Sequence, residues 1–126
     1  MVKGPDSPNA ARGAMAHAAG WAAEDIVARD YAARGGVVLE RRWRGQGGEI
    51  DLIVTLDGVV VFVEVKQSRS FDSAATHLTA RQIARLFAAG EEFLGTRPQG
   101  LLTDCRFDLA LVDGIGAVQI LENAFM

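Results

Sequence analysis

Two periods alternate along this chain, and together they lay out its elements. Ala11 to Arg34 is Ala-rich, lacks an internal Pro and is closed by Gly35-Gly36, the pattern of a helix with a glycine stop. On it Glu24, Val27, Ala28 and Tyr31 recur at i, i+3, i+4 and i+7, which is one stripe of the helix. Val37 to Trp43 starts apolar and runs among Arg41, Arg42 and Arg44 into Gly45-Gln46-Gly47-Gly48, a first strand followed by a basic loop. From Glu49 to Lys66 the period becomes two. Two β-branched runs flank Asp57-Gly58, a dipeptide suited to a type I′ hairpin turn because both central positions tolerate positive φ. One face of that hairpin carries Ile50, Leu52 and Val54 against Val61, Val63 and Val65, an apolar surface for a packed layer.

Thr79-Ala80-Arg81-Gln82 forms a capping box for a second helix, with Leu78 placed to staple onto Ile83 and with Gly95 and Pro98 marking the end. Ile83, Leu86, Phe87 and Phe93 or Leu94 give its buried stripe and leave Arg81 and Arg85 on a neighbouring face. Cys105 to Asp113 and Gly116 to Leu121 read as a second hairpin. The order α, β, β, β, α, β, β predicts a single α/β domain over residues 11–126, with a mixed central sheet flanked by helices. Residues 1–10, with Gly4, Pro5 and Pro8 among polar neighbours, read as a mobile tail.

The other face of the first hairpin holds the chemistry. With Asp57 and Gly58 central, Asp51 falls opposite Glu64 and Glu49 opposite Lys66. Opposed Cβ atoms in an antiparallel pair lie about 4.5 to 5.5 Å apart, and facing like charges destabilise the pair. Asp51 against Glu64 therefore needs a cation. Two hard carboxylates, joined by the Val65 carbonyl between Glu64 and Lys66, suit Mg²⁺ or Mn²⁺. Such a metal lowers the pKa of a bound water, and Lys66 would orient that water or meet developing charge, which is what hydrolysis of an anionic phosphodiester requires. Glu24 reads either as a further ligand pointing at the sheet or as a surface acid beside Arg29 and Asp30. The plain alternative for the whole group is a solvated strand face with an ordinary Glu-Lys pair. Trp43 reads as packing, and Asp108 as a structural acid paired with an arginine such as Arg106.

Three blocks, Gly48-Glu49-Ile50-Asp51-Leu52-Ile53, Val61-Phe62-Val63-Glu64-Val65-Lys66 and Cys105-Arg106-Phe107-Asp108, resemble the YraN-like family of small uncharacterised bacterial proteins. That family is placed in the restriction-endonuclease-like superfamily with its PD-(D/E)xK signature, and is similar in layout to archaeal Holliday-junction resolvases. The resemblance implies a restriction-endonuclease-like fold, Asp51, Glu64 and Lys66 as the catalytic core, and Glu24 as the helix-borne acid that resolvase-like members add. Glu49 matches a position that is usually Glu, and a helical Gln such as Gln82 can approach the site in related nucleases, although capping already accounts for it. Ile50 stands where the nominal Pro would be. After Lys66, where relatives tend to carry Gly, this chain has Ser70-Phe71-Asp72-Ser73-Ala74.

Composition narrows the function. A chain of 126 residues, 49% hydrophobic and 23% charged, suffices for one core and not for a second domain. A formal net charge of -3 and a pI near 5.3 give no global attraction to a polyanion. Contact with nucleic acid would have to be local, through Arg41, Arg42, Arg44, Lys66, Arg69, Arg81 and Arg85 if the fold gathers them. One cysteine excludes an internal disulfide, His17 and His77 give no zinc spacing, and the glycine loop lacks the Lys-Ser/Thr of a nucleotide site. No run approaches the ~20 apolar residues of a membrane span, so a soluble, cytoplasmic protein is expected. Two functions follow from this reading. One is a Mg²⁺- or Mn²⁺-dependent endonuclease acting on structured DNA in repair or recombination, with a homodimer able to pair two active sites. The other is a non-catalytic module that kept the fold to bind nucleic acid or a partner protein.

Overall fold

The computed structural model describes residues 22–72 and 78–125. Helix α1 spans residues 22–33, and strands β1 (Val37–Arg44), β2 (Glu49–Leu56) and β3 (Val59–Gln67) follow. Helix α2 (Ala80–Leu94) and a 3-10 turn (Gly100–Leu102) lead to β4 (Cys105–Val112) and β5 (Val118–Leu121). The five strands lie in one sheet in chain order, antiparallel except for the parallel pair β3 and β4 that α2 connects. This is the mixed α/β domain and the element order expected. The expected tail over residues 1–10, the first part of the expected helix with His17, and residues 73–77 with His77 lie outside the described residues.

Local signals account for most of the boundaries. Asp57 and Gly58 both take positive φ, 53° and 80°, and the ladder from Leu56↔Val59 to Leu52↔Val63 has the register that this turn dictates. Gly35 adopts φ 94° after α1, as a C-terminal glycine does. Thr79 and Gln82 close the capping box in both directions, with the Thr79 hydroxyl accepting from the Gln82 N–H and the Gln82 side chain from the Thr79 N–H.

Each face of the sheet is covered by one helix. Ala23, Val27, Ala28 and Tyr31 of α1 pack on Leu52, Val54, Leu56, Val61, Val63, Ala110 and Val112. Leu86, Ala89, Phe93 and Leu94 of α2 pack on Ile50, Ile53, Val60, Phe62 and Phe107. Ring contacts run through this second core, from Trp43 against Phe93 at 5.5 Å, through Phe62, to Phe107 and Phe87 at 4.7 Å. Trp43 is thus a packing residue, as expected. Gly90 permits the close approach of α2, because a Cβ there would come within 2.7 Å of the Phe107 ring.

Among the described acids, Asp108 is the one with no exposed surface. Asp108 on β4 accepts from the Tyr31 hydroxyl at 2.7 Å, from Arg106 at 3.0 and 3.1 Å and from the Asn123 N–H at 3.0 Å. Burial and the bond to Asp108 push the Tyr31 phenol far above its ordinary pKa. This carboxylate ties α1, β4 and the segment after β5 together, the structural role expected of it. Asp108→Ala removes an acceptor from three buried or half-buried donors, and a loss of about 3 kcal/mol is expected in urea unfolding. Tyr31→Phe removes one bond and should cost about 1 kcal/mol in the same measurement.

Candidate functional site

The site forms where β2 leaves β3. Arg41 reaches Asp25 on α1, and its rung partner Leu52 belongs to the α1 core, whereas Trp43 and its partner Ile50 belong to the α2 core. Residues two apart on a regular strand share a face, so both strands turn over at the intervening rung, which sets Arg42 opposite Asp51. Arg42 takes φ 49°, a left-handed conformation that costs a non-glycine residue on the order of 1 kcal/mol. The expectation that Ile50 shares the face of Leu52 and Val54 is corrected by this turnover.

Beyond Leu52↔Val63 the ladder between β2 and β3 stops, while β3 stays paired with β4 as far as Gln67↔Val112. The Val65 N–H, which a continuing ladder would have given to the β2 backbone, donates instead to Asp51 Oδ2 at 2.9 Å. In an antiparallel rung one residue directs its N–H and its C=O to the same neighbour, so the Val65 carbonyl also faces the open side. The expected pairing of Glu49 with Lys66 does not form. Glu49 follows β1 outward, 3.7 Å from the Arg44 guanidinium.

Asp51 and Glu64 nevertheless meet, because the fork is narrow at its base. Burial first, and then the Asp51 charge, push the Glu64 carboxyl up to about 8, with Lys66 at 3.3 Å opposing the shift. At neutral pH Glu64 therefore keeps its proton. Glu24, 7% exposed, projects from the buried stripe of α1 toward the same place and bonds Arg42 at 3.0 Å. Its pKa is also raised, by burial and by Asp51, against the Arg42 charge.

Two openings reach this pair. A cavity of about 280 Å³ on the α1 side is lined by Glu24, Arg42, Asp51, Glu64, Val65, Lys66 and Gln67. A cavity of about 260 Å³ on the α2 side is lined by Gly48, Glu49, Asp51, Glu64, Gln82 and Arg85. A larger one of about 410 Å³, lined by Phe87, Glu91, Leu94, Cys105, Arg106 and Phe107, includes none of the fork residues. The fold thus brings together Asp51, Glu64, Val65, Lys66 and Glu24, and sets Glu49, Gln82 and Arg85 at the second opening. It does not assemble the arginines into one ridge. Arg41 pairs with Asp25, Arg42 with Glu24 and Arg44 with Glu49, while Arg69 and Arg81 line neither opening. Among the described residues, no group of three or more His, Cys, Asp or Glu side chains stands at metal-holding spacing.

Sequence reasoning missed Glu92. Its carboxylate accepts from the N–H groups of Gln46 and Gly47 at 2.9 and 2.7 Å, pinning the β1–β2 loop to α2. Those two bonds hold its pKa below the usual value. No local pattern marks a contact between residues so far apart in the chain.

A carboxyl whose folded pKa lies above its unfolded value of 4.5 keeps a proton that the unfolded chain has released. Stability is then full below about 4.5 and falls as pH rises to about 8. In chelator, the urea midpoint of the wild type should fall over that window, and Glu64→Gln should flatten the fall. Parallel pH profiles for the two proteins would refute the proton retained on Glu64.

The family model described as uncharacterised protein family UPF0102 matches residues 23–112, which include the fork and both covered faces of the sheet. A UPF0102 protein of Roseobacter denitrificans is 59% identical over 112 residues, covering 89% of this chain and 87% of the relative. One of Ruegeria pomeroyi is 59% identical over 116 residues, 92% of this chain and 94% of its own. One of Cereibacter sphaeroides is 50% identical over 113 residues, 90% of this chain and 97% of its own. With the match spanning nearly all of the described strands, the chain belongs to the uncharacterised protein family UPF0102, in agreement with the YraN-like resemblance of its three sequence blocks.

Proposed function

We propose that the protein is a metal-dependent endonuclease that hydrolyses phosphodiester bonds of structured DNA at the β2–β3 fork. The observation that carries this reading is the Asp51–Glu64 pair, two half-buried carboxyl groups set against each other at the fork beside the Lys66 ammonium. Such a pair costs folding energy unless something positive completes it, and the structural bond of Asp51 to the Val65 N–H does not require Glu64 beside it. The donor set is hard: two carboxylates and the Val65 carbonyl, with Glu24 across the cavity, a set that fits Mg²⁺ or Mn²⁺. A divalent cation bound there would displace the Glu64 proton, acidify a water and offset charge at phosphorus.

The chain's own groups then have separable tasks. Asp51 is fixed by the Val65 N–H, so it presents its remaining lone pairs without rotating. Lys66, 19% exposed and held by Glu64, can donate to the attacking water or to a non-bridging phosphate oxygen. Glu24, its pKa raised by burial and by Asp51, is suited to accept the proton that the water loses. Attack by water forms the new P–O bond, and the bond to the leaving oxygen breaks with proton return to that oxygen.

A second reading is a module that binds without turnover. It is favoured by the engagement of Arg41, Arg42 and Arg44 with the protein's own acids, which leaves fewer cations for a cut strand. Incubation of labelled duplex, single-stranded and four-way-junction DNA with Mg²⁺ or Mn²⁺ separates the two. Cleavage is expected from the wild type and is expected to drop at least about 100-fold in Asp51→Ala and in Lys66→Ala. Binding without cleavage, unchanged by Asp51→Ala, would favour the module. In thermal melts, Mg²⁺ or Mn²⁺ should raise the Tm of the wild type and leave that of Asp51→Ala unmoved.

A further inference from the structure

We propose that the backbone of the Gly45–Gly48 loop is a cradle for a phosphate oxyanion of a nucleic-acid strand, filled in the free protein by the Glu92 carboxylate; the choice of nucleic acid rests on the reading above. Two successive amides, of Gln46 and Gly47, donate to the two oxygens of this one carboxylate. Successive N–H groups converging on an anion make a concave site that a phosphate can use equally well. The loop is shaped for it. The Gly45 N–H donates to the Gly48 carbonyl at 2.9 Å and closes the turn. A Cβ at Gly45 would lie 2.6 Å from Glu92 Oε1, inside the cradle, and one at Gly47 would lie 2.9 Å from the Ala88 Cβ, lifting the loop from α2.

Glu92 is exposed, so a competing anion reaches the same two amides. Phosphate brings comparable charge and more acceptor oxygens than the carboxylate it would replace. Exposed arginines flank the loop, with Arg44 ending β1 directly before it and Arg85 on α2 against Gly48. Gly48 also lines the α2-side opening to Asp51 and Glu64, so a strand held at the cradle lies alongside the fork. Glu92 thus acts as an internal competitor, and strand binding requires its carboxylate to swing away.

The test is a titration of the ¹⁵N-labelled full chain with a single-stranded oligodeoxynucleotide in chelator, where turnover plays no part. Wild type, Glu92→Ala and Glu91→Ala are compared, the last controlling for loss of a negative charge on the same helix. The oligonucleotide should move the Gln46 and Gly47 amide resonances. Glu92→Ala should reach half-saturation at roughly three- to tenfold lower concentration than wild type, and Glu91→Ala should not follow. Glu92→Gln keeps an acceptor without the charge, should fall between, and serves if Glu92→Ala does not fold. Weaker binding by the Glu92 variants, a gain matched by Glu91→Ala, or amide resonances that stay in place would overturn the proposal. Inorganic phosphate moving those amides where the oligonucleotide does not would overturn the nucleic-acid source. Since binding is read without divalent cation, failure of the cradle and failure of the cleavage reading are independent results.

Discussion

Everything distinctive about this molecule depends on one hydrogen bond, from the Val65 N–H to the Asp51 carboxylate. A sheet that opens between two central strands exposes backbone groups that must find partners, and burying them unpaired would cost several kcal/mol. A side chain on the departing strand supplies the missing acceptor. That substitution lets β2 diverge while β3 stays in register with β4, and so creates a cleft in the middle of an otherwise continuous sheet. It also fixes where the carboxylate sits, because a group that closes a backbone rung cannot wander. Architecture and candidate chemistry are thereby the same feature.

The parts of the fold legible in the sequence are those governed by near neighbours. Asp57-Gly58 fixed the hairpin register because only a turn with two positive φ angles joins two strands so tightly. The stripe of Glu24, Val27, Ala28 and Tyr31 placed an acid on the inner face of α1, where it is indeed buried. The turnover at Arg42 and Asp51 was not legible. Period-two alternation is the default reading of a strand, and an arginine gives no sign that it will adopt a left-handed backbone. Hence Ile50 was assigned to a face it does not occupy, and Glu49 to a rung with Lys66 that does not form. The meeting of Asp51 with Glu64 survived that error, because closeness at the base of the fork needs only the register of the rungs just before it.

Charge behaves differently from the sequence total as well. A chain with a net charge of -3 could have gathered its arginines against its acidic groups or apart from them. It does the first along β1, where three consecutive cation sites are matched by Asp25, Glu24 and Glu49. One of these pairs, Arg42–Glu24, belongs to the lining of the α1-side cavity itself. The two exposed pairs, Arg41–Asp25 and Arg44–Glu49, contribute little to stability, typically under about 1 kcal/mol, and can be exchanged for other partners at small cost, whereas Glu24 of the third is buried. The local field at the cleft is set by which of them stay closed.

The irregularities of β1 bear on self-association. An outermost strand with a free row of N–H and C=O groups is a template for another chain. Here that row is broken twice, by the register shift between Val38 and Glu40 and by the left-handed residue Arg42. A second chain laid along this border would find donors and acceptors out of step within a few residues. The distortion that aims Asp51 into the cleft therefore also blunts the border beside it, and assembly by sheet extension is disfavoured along β1.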